Sequence, residues 1–179
     1  HNLGVEPEII LVKDYNNTSN WIFGLEFGAS TFNYGLLNSS LYISGSGYSS
    51  TTEFHAQPTS TSFSLGTSVE TNKSIGKYVA WLFASLPGIS KVGRFTTPAS
   101  GSITVDCGFT SGARFVLTKS ANVSGAWSVF DVQRGIVAGN DPYLWLNSSN
   151  AQGTSIDAID PHNSGFIANG DTYFGNNAT

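Results

Sequence analysis

Asp157 and Asp160 form the one close acidic pair in an aromatic-poor stretch that also carries a histidine, His162. A glycosidase needs two carboxylates facing each other across a sugar bond, one of them held protonated. Spacing alone does not supply that arrangement. Asp160-Pro161 reads as the start of a turn, with Asp157 accepting hydrogen bonds from backbone amides. Together with Asn140 and Asp141, the same carboxylates could offer oxygen ligands to calcium. Calcium at Asp141, Asp157 and Asp160 is thus the only cofactor the sequence allows for, and none is required. The other histidines, His1 and His55, are remote in sequence. The chain contains no Gly-x-Ser-x-Gly elbow, no phosphate-cradling loop with its lysine and no His-Glu-x-x-His pair. Its single cysteine, Cys107, cannot form an intrachain disulfide and reads as a small buried apolar residue. These residues predict a non-enzymatic chain.

Sugar binding is the chemistry that the composition permits. Aromatic faces stack on pyranose C–H groups while Asn, Asp, Ser and Thr satisfy the hydroxyls. Tyr42, Tyr48 and Tyr143 lie near polar loops and are the ligand-binding candidates. Trp21, Trp81 and Trp127 fall in apolar strand contexts and are expected in the core. Asp131 and Arg134 are expected to pair and fix the chain as it leaves the Trp127 strand.

The elements that must position these residues are written twice. Ile9-Ile10-Leu11-Val12-Lys13, a polar loop, Trp21 and Leu37-Asn38-Ser39-Ser40 are answered by Phe115-Val116-Leu117-Thr118-Lys119, a polar loop, Trp127 and Leu146-Asn147-Ser148-Ser149. The Lys and Trp positions are each offset by 106 residues and the Leu-Asn-Ser-Ser tetrads by 109, which places three extra residues near Ala138–Pro142. A period this long is duplication of a domain-sized unit. The expected fold is all-β, an antiparallel β-sandwich or jelly-roll-like body in two tandem copies, 1–92 and 93–179. Runs at 8–12, 21–27 and 78–84 read as strands, the last apolar on both faces and therefore central. Ser44–Ser62 reads as a surface excursion, and the Tyr42–Gln57 part of it as the first place to seek a ligand. The 78–84 strand has no counterpart after the second copy, and Gly93–Val105 has none before the first. The expectation is a window lacking at least one flanking strand at each end, with an open sheet edge as the result.

Charged residues make up 11% of the chain, well below the usual quarter or so, and Ser, Thr, Asn and 20 Gly replace them. A net charge of −4 with no basic cluster argues against nucleic acid. No apolar run approaches the roughly 18 residues of a membrane span, so no membrane insertion is expected.

Four stretches carry a resemblance. They are His1–Lys13, Ala84–Gly93, Gly112–Lys119 and Phe130–Tyr143, the last reading Phe-Asp-Val-Gln-Arg-Gly-Ile-Val-Ala-Gly-Asn-Asp-Pro-Tyr. In these the chain resembles the duplicated β-rich module of tail-fibre and other virion structural proteins of marine bacteriophages, including phages of cyanobacteria. Trp81 stands where Tyr is common in that module, and the final aromatic strand of the second copy is absent. The resemblance implies a virion structural protein on an external appendage, in contact with other virion proteins and homo-oligomeric, with a trimer as the expected state. A carbohydrate-binding adhesin that meets a host surface glycan is the alternative, and a polysaccharide-degrading enzyme the third reading.

Overall fold

The computed structural model describes residues 1–26, 32–43 and 52–170. Contacts divide the chain into two compact units, 1–85 and 86–179, seven residues earlier than the boundary drawn from the repeat. Among the described residues every regular element is a strand and every ladder is antiparallel.

Unit 1 comprises β1 (Ile9–Asp14), β2 (Ile22–Glu26), β3 (Phe32–Leu36), β4 (Phe54–Ala56), β5 (Ser64–Leu65) and β6 (Tyr78–Phe83). Its main sheet has the order β3-β2-β1-β6, and β4-β5 forms a hairpin. The alternation in β1 decides which face is core: Ile10 and Val12 are fully buried whereas Ile9 and Leu11 are only partly so. Ile10, Val12 and Ile22 of the sheet pack with Phe54 of β4, and Phe63 and Leu65 close the layer from the hairpin side. This is a small β-sandwich.

Unit 2 comprises β7 (Ser102–Asp106), β8 (Phe115–Thr118), β9 (Ser128–Asp131), β10 (Asp141–Trp145), β11 (Gly153–Ile156), β12 (Ile159–His162) and β13 (Gly165–Asn169). Its sheets run β11-β10-β9-β8 and β12-β13-β7. Val116, Phe130 and Tyr143 of the first meet Ile159, Phe166 and Ala168 of the second.

The repeated residues make the same bonds in both units. Lys13 Nζ donates to the Ser19 carbonyl at 3.1 Å, and Lys119 Nζ donates to the carbonyl of Gly125, 106 positions after Ser19. The Asn38 side chain accepts Trp21 N–H at 3.1 Å, and Asn147 accepts Trp127 N–H at 2.8 Å. Leu37 and Leu146 donate backbone N–H to the same two tryptophans. The Leu-Asn-Ser-Ser tetrad is therefore a hairpin closure that holds the backbone of the tryptophan opening the neighbouring strand. Replacing Asn147 by alanine takes this acceptor from the backbone of a tryptophan that is 3% exposed. The expected cost is about 1–2 kcal/mol of unfolding free energy by urea titration. Asn38→Ala should cost less, because the bond it breaks is solvent-exposed.

The cores differ where the backbones agree. Gly24 lies opposite Ile10 in unit 1, and Phe130 lies opposite Val116 in unit 2. Unit 1 fills the space above its sheet with Phe54 from the hairpin, while in unit 2 the large ring comes from the sheet itself, with Ala158 and Ala168 opposite. Each unit also has a strand that the other lacks among the described residues. β6 lies on the open side of β1, whereas nothing lies on that side of β8; β7 lies beside β13, whereas β5 pairs only with β4.

One expectation is corrected here. Among the described residues the 78–84 run is an edge strand, not a central one: β6 pairs there only with β1, and Trp81 and Phe83 on its outer face are 40% and 48% exposed. It is apolar on both faces because that outer face carries aromatics.

Candidate interaction surface

Carboxylates in this fold serve the backbone. Asp14, at the end of β1, accepts N–H from Asn16 at 2.9 Å and Asn17 at 3.2 Å, and the Asn17 amide at 2.7 Å. The Asn17 side-chain bond, with the two backbone bonds and Lys13, holds its carboxyl below the ordinary value of 3.8 against the opposing effect of burial. A depressed folded value means stability that is present above pH 3.8 and lost as pH falls through that lower value. Asp14→Asn should accordingly be less stable than the parent chain at neutral pH, with the difference shrinking on acidification when urea midpoints are followed against pH.

Asp141 is fully buried at the start of β10. Its Oδ2 accepts Ala158 N–H at 3.0 Å and Ile159 N–H at 2.9 Å, and Oδ1 accepts Val137 N–H at 3.4 Å. Burial raises its pKa, opposed by the three amides and assisted by the nearby Asp157 charge. Asn169 Nδ2 bridges Asp157 at 2.6 Å and Asp160 at 3.1 Å, and Asp160 also accepts Gly139 N–H at 3.3 Å. The structure thus brings together the three acids singled out for calcium, but as acceptors for amides; Asp160 and Pro161 lie within β12 and do not open a turn. Among the described residues no three His, Cys, Asp or Glu side chains are grouped to hold a metal ion. Asp131 accepts Gln133 and Arg134 N–H at 3.0 and 2.9 Å and the Arg134 guanidinium, closing the turn after β9.

The tyrosines chosen as ligand candidates do not form one site. Tyr143 is 4% exposed, a correction to its placement at the surface. It lies on the inner face of β10, edge-on to Trp145 with ring centroids 5.0 Å apart. Its ring runs so close to Gly153 that a Cβ there would sit 2.2 Å from it. Tyr42 is half-buried, and Tyr48 lies outside the described residues, as does much of the Tyr42–Gln57 excursion.

What reaches the surface is a different set. Trp21 and Trp81 stack with centroids 5.3 Å apart and planes 17° apart. Trp81 and Phe83 on β6 are exposed, so the core position expected for Trp81 is corrected. A polar network adjoins Trp21: Asn20 N–H donates to Glu70 at 3.0 Å and the Asn38 amide donates to Asn20 at 3.0 Å. In unit 2 the outer face of β8 carries Phe115 and Leu117, 61% and 39% exposed. Lys119 donates beside it and lies 5.9 Å from the Trp127 ring centre; burial lowers its pKa to about 8. The only sequence signal for these surfaces is that the outer positions of β6 and β8 are apolar where a solvated edge would carry charge.

An all-β chain of two units, each with an apolar edge strand, is the class that fold and surface define. Within it, the chain belongs to the family described as "Domain of unknown function (DUF7483)", matched over residues 1–177. No curated protein and no solved structure matches it.

Proposed function

We propose that this chain is a non-enzymatic structural module of a bacteriophage virion, part of a tail fibre or related external appendage, working through contacts with copies of itself and with other virion proteins. The observation that carries the assembly reading is that each four-stranded sheet ends on a strand displaying large apolar side chains, Trp81 and Phe83 on β6 and Phe115 and Leu117 on β8. Exposed apolar edge strands are costly to leave in water and are the surfaces through which subunits join. The virion setting comes from the sequence resemblance. Sedimentation velocity over a rising concentration series tests the reading. A homo-oligomer, a trimer by the same resemblance, is expected, and Phe83→Lys with Phe115→Lys should dissociate it. A monomer at every concentration would overturn it.

A second reading, a glycan-binding adhesin, is favoured by the exposed Trp81 ring stacked on Trp21 beside the Asn20, Asn38 and Glu70 network. Sugar faces stack on such rings. Host-surface glycan binding that Trp81→Ala abolishes would support it, and binding indifferent to that substitution would remove this site.

A further inference from the structure

In unit 1 the edge of β1 away from β2 is taken by β6, antiparallel, with Ile9 opposite Phe83, Leu11 opposite Trp81 and Asp14 opposite Tyr78. In unit 2, β8 stands 106 residues after β1 and pairs with β9 as β1 pairs with β2. Its other edge carries no strand among the described residues. That edge is equipped for one. The Arg114 carbonyl accepts Val132 N–H at 3.1 Å on the β9 side. By the alternation of an antiparallel ladder, Val116 and Thr118 also turn their polar groups towards β9, whereas Phe115 and Leu117 turn N–H and C=O towards the open edge. The strand Phe-Val-Leu-Thr contains no charge and no proline, and its ladder with β9 is unbroken by a bulge, so neither charge, proline nor bulge blunts this short edge.

We infer that the β8 edge is a strand-acceptor site, and that its occupant is a polypeptide segment of β6 type. This segment alternates inward Tyr, Ala and Leu with outward Val, Trp and Phe, and binds antiparallel with aromatics opposite Phe115 and Leu117. The register follows from unit 1: Phe115 takes the place of Ile9 facing a Phe83-type residue, and Leu117 that of Leu11 facing a Trp81-type residue. Ladder hydrogen bonds would supply affinity, and alternate side chains selection. The inference deepens the assembly reading and rests on it in one respect, that this edge is a contact surface in the assembled particle.

The test uses the whole 179-residue chain and a labelled peptide of residues 76–86, the β6 segment with its flanks. Saturable binding is expected, with slowed amide exchange over 114–119 and no change over 9–14. Leu117→Pro removes an N–H from the open edge while leaving the bonds to β9, and should weaken binding by about tenfold, the size expected for one or two ladder hydrogen bonds. Phe115→Lys with Leu117→Lys, both at exposed positions, should do the same with the far-ultraviolet spectrum unchanged. Absence of binding by the folded chain overturns the inference. So does protection confined to 9–14, which would mean displacement of β6, and so does protection over 114–119 that grows with protein concentration and excludes the peptide, which would make a second copy's β8 the occupant. A monomer that binds the peptide sinks the assembly reading alone; an oligomer that ignores it sinks this inference alone.

Discussion

Phe130→Ala is expected to lower the unfolding free energy by about 3–5 kcal/mol, the range for removing a fully buried phenylalanine from a packed core. Phe130 has no exposed surface and sits at the centre of β9, tilted against Tyr143 with ring centroids 6.3 Å apart. It belongs to one core cluster with Val116, Tyr143, Ile159 and Phe166, in which Ala158 and Ala168 are the small members. Since small domains are stable by only about 5–15 kcal/mol, this change alone should bring unit 2 near its folding limit. Hydrogen exchange should show the loss as faster exchange across β8, β9 and β10. Gly24 holds the equivalent place in unit 1, where Phe54 fills the space from the other layer. Phe54→Ala should therefore reproduce the effect there. A loss below about 1 kcal/mol from Phe130→Ala would mean that the core is not organised around this ring.

Asp141→Ala should cost about 3 kcal/mol, because it leaves the buried N–H groups of Ala158 and Ile159 without their acceptor and weakens the start of β12. Asp141→Asn should cost much less at neutral pH, since one amide oxygen can still receive both. The two variants separate the hydrogen bonds from the charge. Burial raises the folded pKa of Asp141 above its ordinary value of 3.8, so between these values the folded chain holds the proton more tightly than the unfolded one. Its contribution to stability is therefore largest below 3.8 and declines as pH rises through the raised folded value. Relative to the parent chain, Asp141→Asn should lack that decline. Urea midpoints measured across the acid range give the slope directly, and an equal slope in parent and variant would contradict the assignment.

Much of the scaffold was legible because it is written twice. The Lys–Trp register located β1, β2, β8 and β9, but Ile9–Val12 is apolar throughout, so which face of β1 is buried shows only in the structure. The tetrad was visible as a repeat but not as a bond, since nothing in Leu-Asn-Ser-Ser says that its asparagine reaches back 17 residues in one unit and 20 in the other. Tyr143 was misplaced because its burial depends on Gly153, ten residues away, whose missing side chain makes room for the ring. Asp141 looked like metal chemistry because a solvated acid and one buried against three amides are the same letter. The edge position of β6 was hidden by its own composition: an apolar run is the mark of a strand covered on both faces, and here the second face is apolar and exposed. The proposed contact surfaces are thus the places where local pattern and position in the sheet disagree.

A reconstruction of the native particle, at a resolution that traces β8, tests the account most directly. It predicts that in the assembled particle an antiparallel strand runs along β8 with aromatics over Phe115 and Leu117, and that the outer face of β6 is covered by another polypeptide. Copies whose β8 edge and β6 face both look into solvent throughout the particle would contradict it.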